Sequence, residues 1–198
     1  PGSVLTFRNL FLHTLDEAPQ IDGYRDEWEP LQRNLARLRA PDNRLEVSLF
    51  LGRHERYLYL LVGVKDATPA YGPEGDRVEL AVTDGDGLLQ RYRIQPQAPG
   101  WTVAERLLQG DEWDGTDVLE PALRGEWQPH PQGYTLEMRM PRTLIGDRLS
   151  VRVRDSASGQ LLASGRMFPA DALGYIVERS ARLQAMLDAV TPAATRIW

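Results

Sequence analysis

The chain of 198 residues contains no cysteine. Disulfide bonds, thiol nucleophiles and thiolate metal sites are therefore all excluded. No apolar run approaches the length of a membrane-spanning helix, and no signal peptide is recognisable at the amino terminus. If the protein is exported, we expect its targeting or anchoring segment to lie outside this sequence.

Concentrated basic charge is missing as well. The net charge is -5 and the pI is about 5.3, and no stripe or block of like charge runs through the chain. The acidity favours solubility, and we expect no nucleic-acid partner.

Recognised catalytic motifs are also absent. The three histidines, His13, His54 and His130, do not stand at metal-ligand spacing. The chain has no serine nucleophile elbow, phosphate-binding glycine loop or zinc-protease helix. An enzyme would have to rest on paired carboxylates alone, so we predict that this domain is not an enzyme.

The dominant pattern is an alternation of apolar and polar residues, which is typical of strands with one buried face. Clusters of Asp, Gly, Pro and Asn separate the alternating segments. Short strands at this spacing predict an all-β domain, an antiparallel β-sandwich of jelly-roll type. The apolar positions are Leu45, Val47, Leu49, Leu51, Leu58, Leu60, Val62, Val64, Val78, Leu80, Val82, Tyr134, Leu136, Met138, Met140, Leu149, Val151 and Val153.

The opposite faces of these segments are rich in charge. Charges of opposite sign can pair across neighbouring strands, so we favour a solvated ladder of ion pairs over an anion-binding face. The residues concerned are Arg77, Glu79, Arg91, Arg93, Glu137, Arg139, Arg152 and Arg154.

Two segments depart from the alternation. Arg33 to Arg39 is predicted to be a loop or a single helical turn. Near the carboxyl terminus Ser180 can cap a short α-helix that ends before Pro192, with Leu183, Met186, Leu187 and Val190 at helical spacing. We therefore divide the chain into a sandwich over residues 1–170 and a helical extension over residues 171–198 that leads into further chain.

Three segments combine turn residues with acidic residues. In the stretch from Pro19 to Pro30, Asp22-Gly23 predicts a chain reversal and Trp28 an apolar anchor. Residues 83–87 have the small acidic character of a calcium loop but are better explained as a hairpin turn. Residues 109–117 are either a solvated loop or a site for calcium or sugar hydroxyls. Their carboxylates are Asp111, Glu112, Asp114 and Asp117.

Four short motifs in order resemble family 9 carbohydrate-binding modules and the related DOMON-like sandwiches over about residues 15 to 155. They are Ile21-Asp22-Gly23 with Trp28, Tyr57 to Leu60 running into Val64-Lys65-Asp66, Gly75 to Leu80, and Gly133 to Glu137 with Met140-Pro141. The resemblance implies binding of sugars between aromatic side chains, and structural calcium in some members. This chain offers Tyr71, Trp101, Trp113 and Trp127, which we expect in loops or at strand edges.

The tail carries a second resemblance. Leu149 to Asp155, Gly174 to Val177, Ser180 with its short helix, and Arg196-Ile197-Trp198 are similar to the extracytoplasmic sensor region of proteobacterial histidine kinases encoded with dedicated sortase systems. It implies a periplasmic domain, anchored through segments outside this sequence, that detects a carbohydrate, another cell-envelope ligand or a periplasmic protein. The full-length protein would then act as a kinase, with a homodimer as one arrangement.

Three functional hypotheses follow. The first is the periplasmic sensor domain of a membrane histidine kinase, in which binding would reorient the helix after Ser180. The alternative is a carbohydrate-binding module of a secreted or periplasmic glycoside hydrolase, with an aromatic platform on one face. The third is an electron-transfer or haem domain of DOMON type, which would need axial ligands. Met138 and Met140 alternate with charged residues as core residues do, which disfavours it.

Overall fold

The computed structural model describes residues 10–28, 35–107, 118–165 and 167–169, which contain twelve β-strands. Within these ranges no helix is both long enough and apolar enough to cross a membrane. The strands are β1 (Leu10–Thr14), β2 (Ala36–Arg39), β3 (Leu45–His54), β4 (Tyr57–Asp66), β5 (Arg77–Thr83), β6 (Leu89–Ile94), β7 (Gly100–Arg106), β8 (Val118–His130), β9 (Gly133–Pro141), β10 (Leu149–Arg154), β11 (Leu161–Ala163) and β12 (Met167–Pro169).

One continuous sheet contains all of these strands. Its order is β11-β10-β5-β6-β7-β8-β9-β4-β3-β1-β12, and β2 pairs with β3 beside this path. The pairings are antiparallel except those of β1, which runs parallel to β3 and β12. The turn between β5 and β6 is the hairpin predicted for residues 83–87, where the Asp84 carboxylate accepts hydrogen bonds from the backbone N–H groups of Asp86 and Leu88 at 3.0 and 2.9 Å.

The sheet curls so that its two halves enclose a common core. Apolar side chains of β5, β6 and β10 pack in one cluster with those of β3, β4, β8 and β9. All the apolar positions predicted from the alternation are at most 2% exposed, so the predicted antiparallel β-sandwich is confirmed. Each fully buried leucine or valine contributes about 1.5–3 kcal/mol, which makes this core the main source of stability. Met138 and Met140 belong to it.

A second, smaller core lies on the outer face of β3 and β4. Phe50, Tyr59 and Leu61 project outward from these strands and are covered by Leu15 and Trp28. The segment from Leu15 to Trp28 therefore acts as a flap over the sheet. Trp28 is fully buried, as its predicted role of apolar anchor requires.

Two sequence-based predictions are wrong. Residues 36–39 of the predicted loop form β2, which pairs with β3 and buries Leu38 opposite Val47. The predicted solvated charge ladder is present only in part: Arg93 pairs with Glu105 across β6 and β7 at 2.8 Å but is only 8% exposed, and Arg77 pairs at 2.8 Å with Glu79 of its own strand. Glu137, however, is only 1% exposed, because the flap covers its part of the sheet.

Several predictions fall outside the described residues. They are the boundary at residues 170 and 171, the C-terminal helix, Trp113, the calcium candidates Asp111, Glu112, Asp114 and Asp117, and residues 33 and 34 of the predicted loop.

Candidate functional site

A groove of about 370 Å³ lies between the flap and the outer face of β4, β7, β8 and β9. The flap supplies one wall, and Trp101 of β7 supplies part of the other. The strands contribute the remaining side chains because outward-facing residues recur at every second position. The lining residues are Ala18, Pro19, Gln20, Ile21, Tyr59, Trp101, Arg124, Gly125, Glu126 and Arg139.

Trp101 is the exposed aromatic side chain of this groove. It is 64% exposed and faces outward from β7 opposite Glu126 of β8. A second depression of about 420 Å³, lined among others by Gln97, Leu119 and Pro121, adjoins the same side chain. Trp101 thus presents a large apolar surface to solvent beside two concavities.

Two arginines, Arg124 of β8 and Arg139 of β9, form part of the groove and are register partners on neighbouring strands. The Arg124 Nε–H donates a 2.8 Å hydrogen bond to the carbonyl of Pro121. The Arg139 guanidinium carbon lies 4.8 Å from the centre of the Tyr57 ring, a cation–π contact. Both side chains are exposed. Burial raises the pKa of Tyr59, and the charge of Arg139 opposes this shift.

Two other predicted sugar-binding aromatics, Trp127 and Tyr71, do not line this groove, although Trp127 forms part of the second depression. Trp127 was expected in a loop or at a strand edge, but it lies within β8 and is 1% exposed, because it alternates with the outward-facing Glu126. Tyr71 is exposed in the connection between β4 and β5, and its ring centre lies 4.9 Å from that of Trp127. Its hydroxyl donates to the Gly133 carbonyl at 3.2 Å. The structure therefore brings Tyr71 and Trp127 together, while Trp101 stands in the groove.

A cluster of three buried aspartates, Asp66, Asp76 and Asp155, lies at one end of the sandwich. Asp76 precedes β5 and Asp155 follows β10, and these two strands are paired so that Arg77 is opposite Arg154. Asp66 ends β4, which is remote from β5 in the sheet order and approaches only because the sheet curls. One carboxylate oxygen from each residue lies within 4.8 Å of the others.

Within this aspartate cluster the carboxylates of Asp76 and Asp155 accept hydrogen bonds from the loops beside them, whereas Asp66 is the electrostatically unfavourable member. Burial raises the pKa of Asp66 to about 6, and the negative charges of Asp155 and Asp76 add to the shift. Among the described residues, Oδ2 of Asp66 and the buried hydroxyl of Tyr134 have no hydrogen-bond partner. Burial raises the pKa of Tyr134 well above its usual value, with further contributions from all three carboxylates. The Tyr134 hydroxyl therefore lies in the field of the cluster.

This donor set fits calcium. Ca²⁺ takes six to eight oxygen ligands, with aspartate carboxylates prominent among them, and tolerates irregular geometry. Each of the three aspartates would supply one carboxylate oxygen as a metal ligand. Oδ2 of Asp66 has no hydrogen-bond partner among the described residues and is therefore available to coordinate the ion. The sequence-based calcium prediction concerned residues 111–117 and missed these residues. The available signal was an aspartate at each of three strand ends.

Glu137 explains the conspicuous sequence around Asp22. Its Oε2 accepts hydrogen bonds from the backbone N–H groups of Asp22 and Gly23 at 2.9 and 2.8 Å, and its Oε1 accepts one from the Trp28 indole. Burial raises the pKa of Glu137 to about 7, although the three hydrogen bonds favour the ionised form. This arrangement anchors the flap, so the motif shapes one wall of the groove.

Comparison with known proteins finds similarity among solved structures. No protein-family model and no curated protein matches the chain. A family 9 carbohydrate-binding module from Caldicellulosiruptor kristjanssonii, solved with glucose, matches with a TM-score of 0.50 and 15% identity over 79% of this chain and 83% of that chain. The chain has a fold like that of this module. A structure of such a module from the same organism with cellotriose matches with a TM-score of 0.43, 14% identity and coverages of 79% and 82%.

The match at a TM-score of 0.50 supports the β-sandwich architecture. At 15% identity it carries the fold alone, so it assigns no ligand and no contact residue to this chain.

Proposed function

We propose that this domain binds carbohydrate in the groove beside Trp101. The main observation behind this proposal is that the Trp101 indole is 64% exposed next to a concave surface. The exposed side chains of Trp101 and Leu119 both line the depression beside the groove, and contiguous apolar surfaces on soluble proteins mark interaction sites. The likeness in fold to a module solved with glucose supports the proposal.

The side chains of the groove suit a sugar. One face of a pyranose ring is a flat array of C–H bonds that can stack on the Trp101 indole, while its hydroxyls require hydrogen-bond partners. Gln20 and Glu126 supply acceptors, and Arg124 and Arg139 supply donors around the same groove. Such a site binds and orients a sugar without reacting with it, so we propose no catalytic step.

We propose that the aspartate cluster holds a structural calcium ion. A bound divalent cation would neutralise buried negative charge and connect the ends of β4 and β10 with the start of β5. The cluster and the groove are lined by different residues. Calcium would therefore stabilise the frame without contacting the sugar.

The biological setting is a separate proposal. Resemblance of the tail to the extracytoplasmic region of histidine kinases supports a periplasmic sensor, with the sugar or another cell-envelope ligand as its signal. Attachment to a secreted or periplasmic hydrolase is the other setting. The fold likeness to carbohydrate-binding modules favours the sugar-binding role common to both.

Isothermal titration calorimetry with glucose and glucan oligosaccharides tests the binding proposal. We expect Trp101→Ala to weaken binding at least tenfold, because stacking on the indole is lost. Tyr24→Ala is the matched control, since Tyr24 is also an exposed aromatic, at 57%, and does not line the groove. Equal affinity of wild type and Trp101→Ala, or no binding of any sugar, uronic acids included, would overturn the proposal.

A further inference from the structure

The arginine pair of the groove bears on the kind of sugar that fits there. Arg124 and Arg139 occupy directly opposite positions on the antiparallel strands β8 and β9. Like charges at directly opposite positions destabilise a sheet, whereas opposite charges stabilise it. Two outward guanidinium groups therefore create a local excess of positive charge in a protein whose net charge is -5.

Three other arginines on the described sheet faces are paired with carboxylates. Arg39 contacts Glu46, Arg77 contacts Glu79 and Arg93 contacts Glu105. Among the described residues neither Arg124 nor Arg139 forms such an ion pair. Their contacts are the Pro121 carbonyl for Arg124 and the Tyr57 ring for Arg139, and neither contact neutralises a positive charge.

The contact between Arg139 and Tyr57 also orients the guanidinium. The Arg56 guanidinium carbon lies 5.3 Å from the centre of the same ring, so Tyr57 carries two cation–π contacts. The hydrogen bond to Pro121 restrains Arg124 in a similar way. Restrained guanidinium groups lose less conformational entropy when they bind, and their planar donors match a carboxylate in a bidentate arrangement.

Glu126 is the acidic side chain of the groove and must be weighed against the arginines. It lies opposite Trp101 on one side and the buried Glu137 on the other, one cross-strand row away from the arginine pair. The groove therefore has a positive end at Arg124 and Arg139 and an acceptor near Trp101. A ligand with hydroxyls over Glu126 and an anionic group over the arginines satisfies both ends.

We propose that the ligand is an acidic sugar, a hexuronic acid residue whose ring stacks on Trp101 and whose carboxylate binds between Arg124 and Arg139. The inference rests on the proposed carbohydrate function and specifies its ligand class. It uses the same groove and requires no further partner.

Calorimetric titration with glucuronate and galacturonate oligosaccharides, their methyl esters and matched neutral oligosaccharides tests this inference. We expect an acidic oligosaccharide to bind at least tenfold more tightly than its ester and its neutral counterpart, and this advantage to shrink as salt is raised from 20 to 500 mM (roughly a fivefold reduction of the screening length to about 4 Å). Arg124→Gln and Arg139→Gln should each remove most of the advantage. Arg152→Gln, the same charge change on exposed Arg152 of β10, should leave it intact.

The outcomes separate the two proposals. Trp101-dependent binding of neutral sugars with no preference for the acid would overturn the acidic-sugar inference and leave carbohydrate binding standing. Acid binding that survives Trp101→Ala would overturn both. A sulfated derivative of the neutral oligosaccharide that binds as tightly as the uronate would overturn the carboxylate assignment. The salt dependence needs only the wild-type protein, so it decides the question even if an arginine variant fails to fold.

Discussion

The indole N–H of Trp28 donates a hydrogen bond to Oε1 of Glu137, across 109 residues of sequence. The same carboxylate receives the backbone N–H groups of Asp22 and Gly23. One glutamate of β9 thus satisfies three donors of the flap. The flap's position, and with it one wall of the groove, depends on this single buried acceptor.

Glu137→Gln should therefore destabilise the protein although it leaves the size of the side chain almost unchanged. The amide group replaces one acceptor oxygen by a nitrogen, which must then face an N–H donor of Trp28 or of the Asp22-Gly23 turn. We expect a loss of about 1–3 kcal/mol in the free energy of unfolding, measured by urea titration at about pH 4, where the contribution of Glu137 is complete. Glu55→Gln, at an exposed position, is the control and should change it by less than about 0.5 kcal/mol. Equal stability of the two variants would contradict the anchoring role.

The pH dependence of stability should also reveal the ionisation of the Glu137 carboxyl. The pKa of its carboxyl is raised to about 7 in the folded protein by burial, against about 4.3 for an unfolded glutamate. A raised folded-state pKa means that the folded state binds the proton more tightly. The contribution of Glu137 to stability is thus complete below about pH 4, and falls as the pH rises to about 7.

Burial also raises the pKa of Asp66, so Asp66 contributes a pH dependence of the same sign. Because Asp66 is present in both proteins, the difference between wild type and Glu137→Gln isolates the effect of Glu137. Urea titrations at several pH values between 4 and 7.5 should show wild-type stability falling more steeply than that of the variant, by up to about 1.4 kcal/mol per pH unit. Parallel curves would mean that the hydrogen bonds offset the cost of burying the charge.

Alternation predicts five of the strands, β3, β4, β5, β9 and β10, because its signal is local. Alternation places residues such as Val62 and Val151 on one face of a strand whatever the partner strand is. The burial of Glu137 could not be predicted in this way. Its side chain belongs to the outward-facing set, and only the flap, more than a hundred residues earlier, covers it. β2 was missed because alternation over four residues is too short to outweigh a nearby proline.

Gly23→Ala should be more destabilising than a substitution at a comparable glycine. Gly23 has a φ of +81°, and an added Cβ would lie 2.7 Å from Cγ of Gln128 and 3.2 Å from the backbone of Trp127. Gly87 has a φ of +80° and open space around the same position. Gly87→Ala thus measures the backbone strain alone, about 1–2 kcal/mol. Thermal and urea unfolding should show a larger loss for Gly23→Ala, and equal losses would mean that the flap adjusts freely.

The candidate site shows the same limit of sequence reasoning. Trp101 could be selected as an aromatic candidate, but the residues around it do not distinguish it from Trp127. Trp127 is buried on the other face of the neighbouring strand. Which of the two tryptophans is exposed depends on which face of its strand each one occupies. The aspartate cluster was also hidden, because Asp66 meets Asp76 and Asp155 only through the curl of the sheet.

Calcium should raise the melting temperature of the protein. A ligand that binds only the folded state stabilises it by about 2.7 kcal/mol at a concentration one hundred times its Kd. We expect a clear upward shift between EDTA and millimolar calcium, measured by differential scanning calorimetry, and a smaller shift with magnesium, which prefers a stricter octahedral geometry.

Substitution within the aspartate cluster separates a bound ion from a general salt effect. Asp76→Asn removes a carboxylate from the cluster and should abolish most of the calcium shift, while Asp84→Asn in the exposed turn after β5 should preserve it. Without calcium, Asp66→Asn should be neutral or stabilising, because it removes a buried negative charge whose Oδ2 has no partner among the described residues. A melting temperature that is the same with EDTA and with calcium would contradict the site.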